Sequence, residues 1–338
     1  MNNKTLSVAI LSSLIACNAL ANDIPTQTNS SYQHELNLAL GTYSDDFGDG
    51  IWDLGYRYYF SPVDITKTPY ALNGILAQAS NIGVQYAQMQ IIDDADLYQI
   101  DATYVFDSKW FVKGMYEKDD SDSQYTTLDE SQDSYHFSLG YYFNDTSEVS
   151  IYYGNARSSD NYHHTIDLNA SEVGFRYQGD FDSQTDTYGV QARSFMPMQS
   201  FAGIELAGFW QYSQNDHRNA TSYYDGNSEE SGSYQYDSNT DRHLVHLATD
   251  FYINKSWSVG GEYSWQNFDR KTIFNHSQQS GPSRYSDDGS DSLYAINTAY
   301  WWQFSNLFTA NASVAKYFDD EGDSPDGVFF RLAINARF

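Results

Sequence analysis

From Val328 to Phe338 the chain alternates without a break. Val328, Phe330, Leu332, Ile334, Ala336 and Phe338 share one face, and Phe329, Arg331, Ala333, Asn335 and Arg337 share the other. Period two with both arginines on one side predicts a strand between two solvents, lipid and water. The pattern recurs. Leu36, Leu38 and Leu40 oppose Glu35 and Asn37, and Trp52, Leu54, Tyr56, Tyr58 and Phe60 oppose Asp53, Gly55 and Arg57. Tyr98 to Phe106, Tyr135 to Phe143, Trp257 to Trp265 and Tyr294 to Phe304 alternate likewise. The apolar rows often end in Tyr, Trp or Phe, as interfacial girdles do.

Connections alternate as well. Short turns fall at Asp107-Ser108, Asn144-Asp145-Thr146, Asn254-Lys255-Ser256 and Ser305-Asn306, whereas long polar loops are expected at Asp119–Asp133, Asn215–Asp241, Asp269–Asp291 and Asp319–Asp326. Short turns on one side and long loops on the other predict an all-β, antiparallel up-and-down transmembrane barrel, with periplasmic turns and acidic extracellular loops. Ser61–Ser80 breaks the rule, being long on the short-turn side. Leu72, Ile75, Leu76 and Ala79 follow helical spacing, which predicts a short helix against the barrel rim. Seven strands precede Arg157 and seven follow from Thr185. Parity leaves none or two for Arg157–Gln184, where Tyr162–Leu168 and Glu172–Gln178 read as a short hairpin. The expectation is 16 strands, with 14 as the alternative.

The N-terminus changes the destination. A basic start, the apolar run Thr5–Ala16 and the small-x-small site Ala19-Leu20-Ala21 read as a signal peptide over 1–21, with the barrel over 22–338. Leu14-Ile15-Ala16-Cys17 also resembles a lipobox. Cys17 is the only cysteine, so removal of the leader excludes disulfides and thiolate chemistry. Aromatics make up 17% of the chain, and the six prolines leave long segments uninterrupted. Barrel strands are only half apolar, so mean hydropathy alone would mislead.

Tyr56-Arg57-Tyr58-Tyr59-Phe60-Ser61-Pro62-Val63-Asp64, Thr68-Pro69-Tyr70-Ala71-Leu72 and Ala77-Gln78-Ala79-Ser80 resemble the segment after the second strand in a family of general porins of marine and related gammaproteobacteria. Terminal Phe338 resembles the assembly signal that outer-membrane barrels present to the barrel-assembly machinery. The resemblance implies a Gram-negative outer membrane, contact with its lipid and lipopolysaccharide, and passive uptake of small polar solutes. It also raises a homotrimer, although Ile92–Asp96 is too short for the latching loop of known porin trimers.

Projected inward, the pore-lining candidates are acidic Glu35, Asp53, Asp101, Glu117, Glu172, Glu205, Asp250 and Glu262, and basic Arg57, Lys113, Arg176, Arg193, Lys316, Arg331 and Arg337. A mixed wall of this kind favours small hydrated solutes. Asp119, Asp120, Asp122, Asp129, Glu130 and Asp133 are candidates for a constriction loop folded into the pore, or for an ordinary solvated acidic loop. Tyr59, Tyr142, Tyr152, Phe209, Tyr252 and Trp301 are candidates for stacking on sugars, the mark of a substrate-specific channel. A closed structural or adhesive barrel is the third alternative. The net charge of −27 argues against nucleic acid and for a modest preference for cations. None of the eight histidines lies in a catalytic motif, and no EF-hand spacing occurs, so neither an enzyme, a metal nor a cofactor is expected.

Overall fold

The computed structural model describes residues 31–45, 47, 50–66, 68–90, 94–122, 129–166, 175–225, 230–277, 281–305, 307–319 and 327–338. The expected leader 1–21 with Cys17, Glu172, the distal acidic loop residues 320–326, and the side chains of Asp122, Asp129, Glu130 and Arg176 lie outside the described residues.

Fourteen antiparallel strands close into one barrel, each paired with its sequence neighbours and the last with the first. They are β1 (Ser31–Tyr43), β2 (Gly50–Asp64), β3 (Asn81–Gln90), β4 (Asp94–Val105), β5 (Trp110–Asp122), β6 (Asp129–Asn144), β7 (Ser147–Ile166), β8 (Phe175–Pro197), β9 (Gly203–Asp225), β10 (Glu230–Tyr252), β11 (Trp257–His276), β12 (Ser283–Gln303), β13 (Phe308–Asp319) and β14 (Phe329–Arg337). Closure leaves no sheet edge, the condition for a sheet surrounded by lipid.

The expected 16 strands are therefore corrected to 14. The described residues of the expected extra hairpin, 162–166 and 175–178, are the far ends of β7 and β8, whose ladder runs on through Tyr162↔Gly179 to Ile166↔Phe175; 167–174 lie outside the described residues. Their backbone groups are already paired, so no separate strands arise. The same correction applies to the long polar loops. Most of Asn215–Asp241 is the paired upper part of β9 and β10, and much of Asp269–Asp291 belongs to β11 and β12. Tyr- and Thr-rich polar chain satisfies its hydrogen bonds by extending a hairpin.

The wall is uneven. Strands β7 to β12 are 20 to 23 residues long, whereas β13, β14 and β1 to β5 have 9 to 15. A hydrocarbon core needs only ~9–11 residues of tilted strand, so the tall wall rises well beyond it. The outward rows mark the boundary. On β9, Ile204, Leu206 and Trp210 give way to Gln214 and Asp216, and on β11, Trp257, Val259, Tyr263 and Trp265 give way to Asn267 and Asp269. At that level, outward tyrosines donate to aspartates nearer the hairpin tips: Tyr86 to Asp96 (2.6 Å), Tyr116 to Asp133 (2.5 Å), Tyr153 to Asp186 (2.6 Å) and Tyr212 to Asp241 (2.6 Å). An apolar ring below and a wet hydroxyl above suit a membrane boundary.

The seam between β14 and β1 pairs Glu35↔Arg337 through Tyr43↔Phe329. Phe338 completes it. Its carbonyl accepts from the N–H groups of Gln33 and His34, and its ring stacks on His34 at 4.9 Å.

Candidate functional site

Between β2 and β3 lie a 3₁₀ turn (Tyr70–Leu72) and one turn of helix, α1 (Asn73–Leu76). The helical spacing of Leu72, Ile75 and Leu76 is real, but its location differs from the expected rim. Leu72 packs with Phe195 of β8 and Tyr252 of β10, alongside Ala71, Ile75, Leu76 and Ala202. On the opposite flank Tyr32, Tyr59, Val63 and Ala79 enclose Ile65 and Ala77. Polar contacts fill the rest of the circle. Tyr70 donates its hydroxyl to Gln303 (2.9 Å) and its N–H to the Lys255 carbonyl (3.0 Å), and accepts from Arg337 (3.3 Å). Gln78 donates to the Asn144 carbonyl (2.6 Å). These partners sit on or beside β1, β2, β6, β8, β10, β12 and β14, all round the barrel. The described residues of segment 65–80 therefore cross the mouth at the turn end as a plug. Gly74 fits because it lacks a side chain: a Cβ there would stand 2.3 Å from the Tyr59 hydroxyl.

The wall behind the plug is polar. Tyr59 donates to Glu35 (2.5 Å), which also accepts from Arg337 (3.0 Å). Asn37 donates to Asp53, and Asp53 pairs with Arg331 at 3.2 Å, reaching across β1. Arg57 grips Asp101 with two hydrogen bonds, at 2.8 and 2.7 Å. Gly83 stands between them in register, and a Cβ there would lie 2.7 Å from the guanidinium. Asp53 and Asp101 are 2% and 3% exposed. Buried carboxylates need such partners, since an unpaired charge away from water is costly.

The projected pore residues thus divide. Glu35, Asp53, Arg57, Asp101, Arg331 and Arg337 form a chain of ion pairs on the β14–β1–β2–β4 side. Arg193 pairs with Glu205 at 3.1 Å beside the plug. On β9–β11, Glu205 stands opposite Asp250, with Glu262 one diagonal step away; among the described residues only Glu205 of the three is ion-paired. Lys113 is exposed on the inner face of β5, within electrostatic reach of Asp101 and Glu148, with Glu117 above it. Lys316 donates to the Gly327 carbonyl (3.3 Å).

Residues 123–128, the centre of the expected constriction loop, lie outside the described residues, and its flanks are strand. β5 and β6 stay paired as far as Asp122↔Asp129. Alternation then turns Asp120 and Asp133 outward, where Asp120 pairs with Lys118 (2.5 Å) and Asp133 accepts from Tyr116. Asp119 alone of these is on the inner face with a described, part-buried side chain. Of the sugar-stacking candidates, Tyr59, Tyr142 and Tyr252 are buried around the plug, which removes their ring faces from solutes. Tyr152 donates to Gln211 (3.0 Å), and Phe209 stacks on His246.

Sequence reasoning missed the plug's partners and the inner amides Asn37, Asn311 and Asn335. Asn335 is 1% exposed. Its position in an inward row was visible; its burial was not, because that depends on the closed barrel, in which it stands between Asn37 of β1 and Thr309 of β13. Among the described residues, no group of three or more His, Cys, Asp or Glu is placed to hold a metal ion.

No family model and no curated protein matches the chain. Among solved structures it is similar to the outer membrane protein Omp33 of Acinetobacter baumannii, with 14% identity and a TM-score of 0.49 over 91% of this chain and 99% of that one. It is also similar to OmpT, an outer membrane protein of Vibrio cholerae, at 9% identity and a TM-score of 0.40 over 94% and 100%. A third similarity is to the ferric yersiniabactin uptake receptor FyuA of Yersinia pestis, at 9% and 0.45 over 85% of this chain and 47% of that one. The chain is a closed antiparallel β-barrel similar to proteins of the outer membrane.

Proposed function

We propose that the protein is an outer-membrane diffusion channel for small hydrophilic solutes and ions, with a modest preference for cations, and that segment 65–80 closes it at the periplasmic end. The observation that carries this is the polar wall behind the plug. Asn37, Thr309 and Arg337 of that wall, and Asn73 of the plug facing it, each keep a buried polar atom without a hydrogen-bond partner among the described residues. A permanent core would be apolar or fully hydrogen-bonded. A wall built for water, covered by a short segment, suits a mouth that opens when the segment leaves. The acids of β9–β11 and the net charge of −27 support the cation preference.

Single-channel recording tests this. The wild type is expected to conduct in brief openings. A variant with residues 66–78 replaced by a short turn is expected to conduct several-fold more and continuously. Gly74→Val, which cannot seat against Tyr59, is expected to lengthen the openings. A reversal potential favouring chloride in a salt gradient would remove the cation preference. The plug also favours a second reading, a closed structural barrel. Silence from both the wild type and the plug-deleted protein, each correctly folded, would decide for it.

A further inference from the structure

We propose that the inner face of the tall wall carries a capture site for small organic carboxylates, built on Arg242, Arg270 and Phe268. Arg242 of β10 stands directly opposite Phe268 of β11, and Arg270 stands opposite Thr240, so all three share the inward row. The two arginines are diagonal neighbours, about 7–8 Å apart at the backbone. Phe268 lies flat across Gly289 of β12, where a Cβ would come within 2.8 Å of its ring. The Arg270 guanidinium sits 5.7 Å from the Phe268 centroid.

What sets this pair apart is the lack of a carboxylate. Each other inward arginine with a described side chain has one: Arg57 has Asp101, Arg193 has Glu205, Arg331 has Asp53 and Arg337 has Glu35. Arg242 and Arg270 have none among the described residues, and the Arg242 Nε is buried without a hydrogen-bond partner. Two acids are near. Asp291 acts on Arg242 but accepts from Gln266 at 2.8 Å. Asp287 faces Arg270 in register but is exposed and makes no ion pair with it. In a chain with 45 acids and 18 Lys and Arg, two adjacent unmatched guanidiniums are a departure from the rest of the wall. Their mutual repulsion is relieved when an anion bridges them. The planar guanidinium fork fits a carboxylate in two-point contact, and the Phe268 ring offers a platform for the body of the solute.

The inference rests on the water-filled interior of the proposed channel, but its test does not need conduction. Refolded protein in detergent is titrated calorimetrically with sodium glucuronate, and with glucose as the uncharged counterpart. Glucuronate is expected to bind saturably and glucose not. The R242Q/R270Q protein is expected to bind at least ~10-fold more weakly, the size of one lost charge-assisted hydrogen bond. Should that protein fail to fold, R242K/R270K keeps the charges but loses the fork, and a clear weakening is still expected. Equal binding of glucose, no saturable heat with glucuronate, or variants that bind like the wild type would overturn the proposal. Conductance without glucuronate binding overturns this inference alone; binding without conductance overturns the diffusion channel alone.

Discussion

The barrel has two unlike walls. The short wall, β13–β14 and β1–β5, holds its inward charges in ion pairs, from Glu35–Arg337 through Asp53–Arg331 to Arg57–Asp101. The tall wall, β7–β12, faces inward with small hydroxyls such as Thr187, Ser213, Thr240, Ser264 and Thr272, and among the described residues leaves Arg242 and Arg270 without an ion pair. Both walls bear alternating rows, and both are apolar outside at membrane level. The difference lies in what the inner charges meet. On the short wall they meet one another and the plug, so they act in closure and stability. On the tall wall only the Arg193–Glu205 pair beside the plug repeats that arrangement, whereas Arg242 and Arg270 face the lumen.

Three substitutions break or sharpen that contrast. Arg337→Gln should have the largest effect. It leaves Glu35 buried with Tyr59 but without its counter-charge, a loss of about 3–5 kcal/mol. Unfolding of the refolded barrel in urea, followed by tryptophan fluorescence, measures it, and a change below ~1 kcal/mol would mean that the short wall does not depend on its pairs. Gly83→Val should come next. Its side chain would enter the space of the Arg57 guanidinium and force it off Asp101, at about 1–3 kcal/mol by the same measurement. Tyr153→Phe on the tall wall should be smallest, with no resolvable change in the urea midpoint, because it removes one solvent-exposed hydrogen bond to Asp186 and keeps the ring. A reversed order would place the stability of the barrel in the tall wall.

Much of this was legible in the residues. Strand direction, the face of each residue, the positions of the short turns and the fourteen strands outside Arg157–Gln184 all follow from period-two alternation and parity. What alternation could not separate was a polar loop from a polar strand extension. Asn215, Asn219, Asn239 and Thr272 carry no apolar contrast, so the upper hairpins read as loops. It also could not place α1. The spacing of Leu72, Ile75 and Leu76 announces a helical turn, but Phe195 and Tyr252, which receive it, lie more than a hundred residues away in sequence.

The candidate charges divide in the same way. That Arg57, Asp101, Asp53 and Arg331 point inward is a local consequence of the pleat, in which every second side chain shares a face. Which of them pair is set by register and closure. Arg331 reaches Asp53, 278 positions earlier, only because β14 closes onto β1. Sequence by itself determined the alternating walls, because side-chain direction along a strand needs no partner. Only the tertiary structure decided that the segment crosses the mouth and which arginines are left unmatched, because both depend on distances across a ring that exists only once the last strand has met the first.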